Sequence, residues 1–166
     1  MHPDVQTLIQ RFNLQQHPEG GFYNEVFRSN ATVLMPERFG EKKRSSKTVI
    51  YFLLPGDDFS SFHRFKSEET WHFFAGSTGA IYVINPNGSL STHLIGNSLE
   101  DARADFQVEI PSNNWFAAEV MDKKSYLFVG CTVAPGFEFE DFELADRQLA
   151  KQYPEHETLI NRLIRD

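Results

Sequence analysis

Short apolar runs separated by turn residues fill the middle of the chain, and helical spacing is confined to its ends. Near the start, Val5, Leu8, Ile9 and Phe12 fall at i, i+3, i+4 and i+7, the spacing of one helix face. Near the end, Leu159, Ile160, Leu163 and Ile164 repeat that spacing after Pro154, and a third short helix is predicted between Glu143 and Gln152. Between them, nine runs predict strands: Gly21–Arg28, Thr48–Leu54, Ser60–Phe65, Thr70–Ala75, Ala80–Ile84, Ser91–Ile95, Phe106–Ile110, Trp115–Glu119 and Tyr126–Val133. Pro55-Gly56, Asn85-Pro86-Asn87-Gly88 and Pro111-Ser112-Asn113-Asn114 supply turns, and Asn87-Gly88 is a hairpin signal. Many short strands without βαβ alternation predict an all-β sandwich or barrel with short terminal helices, and argue against a Rossmann fold.

Composition refines this picture. A chain of 166 residues is expected to form one domain with a substantial core. Sixteen Phe against two Trp, spread over many segments, suit a barrel filled from all sides. The formal net charge of −7 argues against nucleic acid as a partner, since phosphate recognition needs a basic surface. The polar, basic stretch Pro36–Lys47 is expected to be a solvated loop. The one cysteine, Cys131, lies in an apolar run and reads as a small core residue. The start, MHPDVQTL, lacks the features of a secretion signal, and no run approaches the ~18 apolar residues of a membrane span. These features predict a cytoplasmic protein without a membrane partner.

The candidate chemistry is concentrated in Gly56–Gly76. His63 precedes Glu69 by six residues, and Gly76 follows Glu69 by seven. A metal on a β-scaffold needs several N or O donors aimed at one point. Residues of equal parity share a strand face, so a second histidine two positions after His63 would complete a chelate. That position is Phe65.

Gly56, His63, Glu69 and Gly76 resemble the first motif of the cupin superfamily, which carries His-x-His, then glutamate, then glycine. The second cupin motif would align with Pro111, Asn113 and Phe116, where the histidine position is again phenylalanine. A longer resemblance runs through HPEGGFYNEVFRS (His17–Ser29), FHRFKSEETWHFFAG (Phe62–Gly76) and GCTVAPGFEFEDFELADR (Gly130–Arg147). Together these segments are similar to the cupin type-five family, a domain of unknown function. The resemblance implies a double-stranded β-helix, or cupin jelly-roll barrel, usually dimeric and related in fold to dTDP-sugar epimerases.

Several roles are open for each candidate residue. His63 is a general base, a ligand or a hydrogen-bonded interior histidine. A buried Glu69 needs a partner, and a contact with His63 would satisfy both and orient the imidazole. Tyr23 and Glu25 share a strand face; Tyr23 is a candidate acid and Glu25 a candidate ligand-binding group. Arg28 could grip an anion or form a surface ion pair. Phe65, Trp71, Phe73 and Phe116 are expected to wall a pocket for a small molecule. His72 has the opposite parity to Glu69 and is expected to face outward; a bulge would be needed to bring it to a metal with His63 and Glu69. The acids of VAPGFEFEDFEL are expected to be solvated, and its phenylalanines to form a flap or a dimer seam.

Three functions compete on this reading. The first is a metal-independent isomerase or epimerase acting on a sugar-like or nucleotide-sugar-like substrate, with His63 as base, Glu69 as its orienter and Tyr23 as acid. The second is a non-catalytic ligand-binding or sensor protein, favoured by Phe65 and Phe116. The third is an enzyme with a divalent metal on His63, Glu69 and His72. No cofactor is expected in the first two, and a homodimer is expected in all three.

Overall fold

The computed structural model describes residues 2–165. An opening helix, α1 (Pro3–Phe12), is capped by His2, whose ring accepts from the Asp4 amide, and ends at Asn13 in a left-handed conformation. Then follow β1 (Gln15–Gln16), β2 (Phe22–Arg28), β3 (Thr32–Leu34), α2 (Pro36–Phe39), β4 (Lys43–Ser45), β5 (Thr48–Pro55), β6 (Phe59–Arg64) and β7 (Glu68–Gly76). The chain continues through β8 (Gly79–Ile84), β9 (Leu90–Ile95), β10 (Gln107–Ile110), β11 (Trp115–Val120), β12 (Tyr126–Ala134) and β13 (Glu143–Leu144) to α3 (Gln148–Gln152) and α4 (Glu157–Arg162).

Two antiparallel sheets face each other in a jelly roll. The larger has the order β1-β2-β5-β12-β7-β10 and the smaller β13-β6-β11-β8-β9, with β3 and β4 as a separate pair. Strand β12 is the spine of the larger sheet, pairing with β5 on one side and β7 on the other. Its inward residues Leu127, Val129, Cys131 and Val133 meet Ile81, Val83, Phe116 and Ala118 of the smaller sheet in the main core. A second cluster, including Phe62, Trp115, Leu149, Ile160 and Leu163, seats the C-terminal helices on the outside of the smaller sheet. A third seats α1 on the larger sheet through Val5, Leu53 and Phe128. None of these helices is long and apolar enough to cross a membrane.

All nine expected strands are present, with ends shifted by one or two residues. The four missed strands are two or three residues long, too short for an alternation to register. The expected helix over Glu143–Gln152 is corrected: it begins only at Gln148, because Glu143 and Leu144 pair with β6. The expected solvated loop over Pro36–Lys47 is also corrected. Phe39, Arg44 and Ser45 are buried, and the Arg44 guanidinium lies over the Phe39 ring at 5.0 Å.

Gly76 closes β7 with φ +97°, and a Cβ there would lie 2.1 Å from the Tyr126 carbonyl oxygen. That position needs glycine for its backbone angle and for the closeness of the neighbouring strand. Gly76→Ala is expected to cost at least about 2 kcal/mol, read as a lowered urea midpoint at unchanged slope.

Candidate active site

Between the sheets at one end of the barrel lies a cavity of about 210 Å³. Its wall is built from alternate residues of several strands: Tyr23 and Glu25 on β2, Ile50 and Phe52 on β5, Glu69 and Trp71 on β7, Cys131 and Val133 on β12. His63 enters from β6, and Phe137 and Phe139 from the segment after β12. Further wall comes from Arg28, Thr48, Phe65 and Glu138, and from the turn between β1 and β2, which delivers His17 and Glu19.

That turn is held from several directions. The His17 amide donates to the Gly21 carbonyl at 3.0 Å, and the Gly20 amide donates back to the His17 carbonyl at 3.0 Å. Gly20 and Gly21 have φ of +112° and +68°, and a Cβ on Gly20 would lie 2.1 Å from the Phe59 carbonyl oxygen. The Glu19 carbonyl accepts from the Ser61 amide at 2.8 Å and from Arg165 Nε at 2.9 Å. Asp58 accepts from the Gly21 amide at 2.9 Å and is paired with Arg165.

The side chains so placed form one buried chain of hydrogen-bonding groups. Glu19 Oε1 accepts from the Ser60 hydroxyl at 2.8 Å, and Oε2 lies 3.2 Å from His63 Nε2 and 3.3 Å from His17 Nδ1. His63 Nδ1 lies 2.7 Å from the Ser61 carbonyl oxygen. A carbonyl can only accept, so Nδ1 carries a proton, and a neutral His63 turns its Nε2 lone pair toward Glu19. The contact closes only if one proton lies between Nε2 and Oε2, on either atom. Burial raises the Glu19 carboxyl well above its ordinary range, with the Glu69 charge adding to the effect. Burial also lowers the His63 imidazole to about 3 and the His17 imidazole to about 4. The proton therefore belongs to Glu19, and the pair is a carboxylic acid donating to a neutral imidazole. His17 Nδ1 accepts from the Glu19 amide at 3.2 Å, which places that ring's proton on Nε2.

Glu69 is a different kind of acid. It is 6% exposed, and burial raises it to about 7; Trp71 and Cys131 donors beside it pull it back only in part. Neither Glu69 Oε2 nor Trp71 Nε1 has a hydrogen-bond partner of good geometry.

The mouth is roofed by residues 137–142. Phe137 packs edge-on to Phe65 at 5.3 Å, Phe139 lies 5.8 Å from the His17 ring, and Phe142 lies 5.5 Å from the His63 ring. Cations tie the intervening acids down. Arg28 donates to Glu138 and Glu25, each at 2.7 Å, and to the Phe137 carbonyl at 2.8 Å. Arg44 donates to both oxygens of Asp141 at 2.7 and 2.8 Å, and Lys42 pairs with Glu140. The expectation that these acids are simply solvated is corrected for Asp141, whose side chain is 6% exposed. Its partner Arg44 comes from the stretch read as a loop.

The structure thus gathers Tyr23, Glu25, Arg28, His63, Phe65, Glu69 and Trp71 at one cavity. Phe73 packs on the main core and Phe116 lies beneath His63 at 4.1 Å, so neither forms part of the wall. The expected His63–Glu69 contact is corrected: both His63 ring nitrogens are already taken, by Ser61 and Glu19. His72 reaches Gln107 at 2.9 Å and Thr132 at 3.2 Å on the other face of β7, so no bulge brings it to Glu69. Among the described residues, no group of three or more His, Cys, Asp or Glu is arranged to hold a metal ion. His17 and Glu19 are site residues that the sequence analysis does not single out. Their signal was HPEGG itself, two titratable groups directly before a glycine pair.

Residues 6–145 match the family described as Cupin superfamily (DUF985). The chain is similar to a crystallised protein from Shewanella oneidensis, at 36% identity, covering 99% of this chain and 98% of that one with a TM-score of 0.85. It is similar to a hypothetical protein from Leishmania major, at 32% identity over 97% and 98% of the two chains, with a TM-score of 0.87. An uncharacterized protein of Saccharomyces cerevisiae is 26% identical over 148 residues, 82% of this chain and 73% of that one. Oxalate decarboxylase from Bacillus subtilis shares the fold, with a TM-score of 0.56 at 13% identity over 89% of this chain and 36% of that one.

The raised Glu69 has a consequence for stability. Its folded-state value of about 7 lies above its ordinary 4.5, so folding favours the protonated form. That contribution is fully present below about pH 4.5 and is lost as pH rises through 7. Glu69→Gln removes it. Relative to wild type, the variant is expected to gain about 3 kcal/mol between pH 4.5 and 8 in urea titrations. An unchanged difference across that range would place Glu69 in a solvated, ordinary environment.

Proposed function

The chain belongs to the cupin superfamily family described as DUF985, and from that premise we propose that its cavity is a small-molecule site for metal-independent proton transfer next to a carbonyl group. The observation that carries this reading is the pair of buried acids with divided environments: Glu19, holding its proton against His63, and Glu69, poised near neutrality. Two carboxyl groups held in different protonation states on one cavity wall can act as acid and base together.

In this reading Glu69, not His63, is the base. A value of about 7 leaves much of it ionised at neutral pH while it remains a competent proton acceptor. Its carboxylate takes the proton from the atom beside the carbonyl. Glu19 turns its Oε2 proton from His63 Nε2 to the carbonyl oxygen, forming the enol, while Ser60 keeps its bond to Oε1. Reversal returns the carbon-bound proton from Glu69 and the oxygen-bound proton to Glu19, restoring the Glu69 carboxylate and the Glu19 acid, so no cofactor is consumed. Tyr23, whose ring packs edge-on to His17 at 4.6 Å, helps to shape the wall.

The nucleotide-sugar expectation is less well supported than a small neutral substrate. Arg28 is the cation among the cavity-lining residues, and Glu25, Glu138 and the Phe137 carbonyl already occupy it. A diphosphate would find no free cation there. The volume also lies below the usual ~300–1,000 Å³ of sites for drug-sized ligands. The homodimer is part of the proposal, and the exposed Val26 and Phe27 of β2 offer apolar surface for it.

A second reading, binding without turnover, is favoured by Phe65 and Phe116, which put apolar rings at the cupin donor positions. Carbon-bound deuterium wash-in from D₂O separates the two. Cyclohexanone, glutarimide and dihydrouracil would be followed by NMR with wild type, Glu69→Gln and Glu19→Gln. The expected result is wash-in by wild type that falls by about 100-fold or more in each variant. Binding of these compounds with no wash-in by wild type would establish the second reading instead.

A further inference from the structure

We propose that Trp71 Nε1 and Glu69 Oε2 together recognise a cis-amide edge, so that the ligand is a flat, neutral cyclic amide. Trp71 would donate to the carbonyl oxygen and Glu69 would accept from the adjacent N–H. This deepens the assignment of the cavity as a small-molecule site and rests on it.

Both atoms are buried, in residues 1% and 6% exposed, and although Trp71 and Cys131 lie beside Glu69 as donors, neither atom has a partner of good hydrogen-bond geometry. Leaving a buried donor or acceptor unmet is unfavourable, so a pair of them on a cavity wall marks a place where something else supplies the bonds. Glu69 and Trp71 are separated by one residue on β7 and project from the same face. The indole N–H is a donor only, which demands an acceptor on the ligand. A carboxylate beside it demands a donor on the neighbouring ligand atom.

The remaining wall agrees with this class. Aromatic rings from Phe52, Phe65, Phe137 and Phe139 bound the space and suit a flat molecule. His17 is neutral by its hydrogen bonding and burial keeps His63 and Glu19 neutral, so the interior offers no cation to an anionic ligand. A lactam also places N–H where an enolisable ketone carries its reacting C–H, next to a carbonyl oxygen. Its N–H would therefore meet the same Glu69 carboxylate that takes the substrate's proton, with Trp71 at the carbonyl oxygen.

The test is a matched series of six-membered rings: δ-valerolactam with donor and acceptor, cyclohexanone with the acceptor alone, and methylenecyclohexane with neither. Binding is read from tryptophan fluorescence, since Trp71 lies in the wall, and independently from thermal shift. Wild type is expected to bind the lactam at least about 10-fold more tightly than the ketone, and the ketone more tightly than the hydrocarbon. Trp71→Phe should weaken both carbonyl compounds toward the hydrocarbon. Glu69→Leu, which keeps an apolar side chain of similar size, should abolish the preference for lactam over ketone while leaving ketone binding in place. Equal affinity for lactam and ketone in wild type would overturn the proposal and leave a bridging water as the occupant of the pair. Failure of every probe to bind would overturn it as well. The preference is an equilibrium quantity and survives if deuterium wash-in is absent, so failure of the proton-transfer reading is distinguishable from failure of this one.

Discussion

Burying the Glu19 carboxyl among apolar rings is the constraint around which this end of the barrel is arranged. An isolated carboxylate there would be prohibitively costly, so the site must keep the group neutral or surround it with donors. It does both. Ser60 donates to one oxygen, the other faces a histidine whose free nitrogen can only accept, and the Ser61 carbonyl fixes that histidine's tautomer. Backbone and side chain are coupled here: Ser61 uses its amide to hold the Glu19 carbonyl and its own carbonyl to orient His63.

The mouth solves the opposite problem. Phe137, Phe139 and Phe142 must lie over the cavity in a segment that is otherwise acidic. Arg28, Lys42 and Arg44 neutralise that segment from β2 and from the β4 region, and Arg44 does so from a nearly buried position. A buried guanidinium needs both charge and geometric satisfaction, which the two-point contact with Asp141 provides. The site therefore has an interior of neutral hydrogen-bonding groups around one titrating acid, Glu69, and a rim of paired charges. That division favours a small uncharged ligand over an ionic one.

Much of this was legible in the chain. Short apolar runs bounded by turn residues located every long strand, and turn chemistry located the β8–β9 hairpin at Asn87-Gly88. Parity placed Glu69 and Trp71 on one face of β7 and His72 on the other. The same rule misplaced Phe73, because parity gives the face of a strand but not how far along it the cavity extends. The stretch Pro36–Lys47 was misread because a single buried arginine within a polar run has no local signature. Its burial depends on Asp141, almost a hundred residues away.

The sequence by itself determined an all-β sandwich or barrel and the strands that carry the site, and its resemblance to cupins implied the jelly roll and the loss of two donor positions to Phe65 and Phe116. The strands follow from local apolar runs and turn residues, and the rest from motifs shared with that family. Only the tertiary structure decided the pairing of the acids. It gave His63 to Glu19 rather than to Glu69, and it left Glu69 and Trp71 facing the cavity with unmet polar atoms. The physical reason is that hydrogen-bond partners and desolvation are properties of neighbours in space. The turn at His17–Gly21 and the strand at Phe59–Arg64 become neighbours only when the barrel closes.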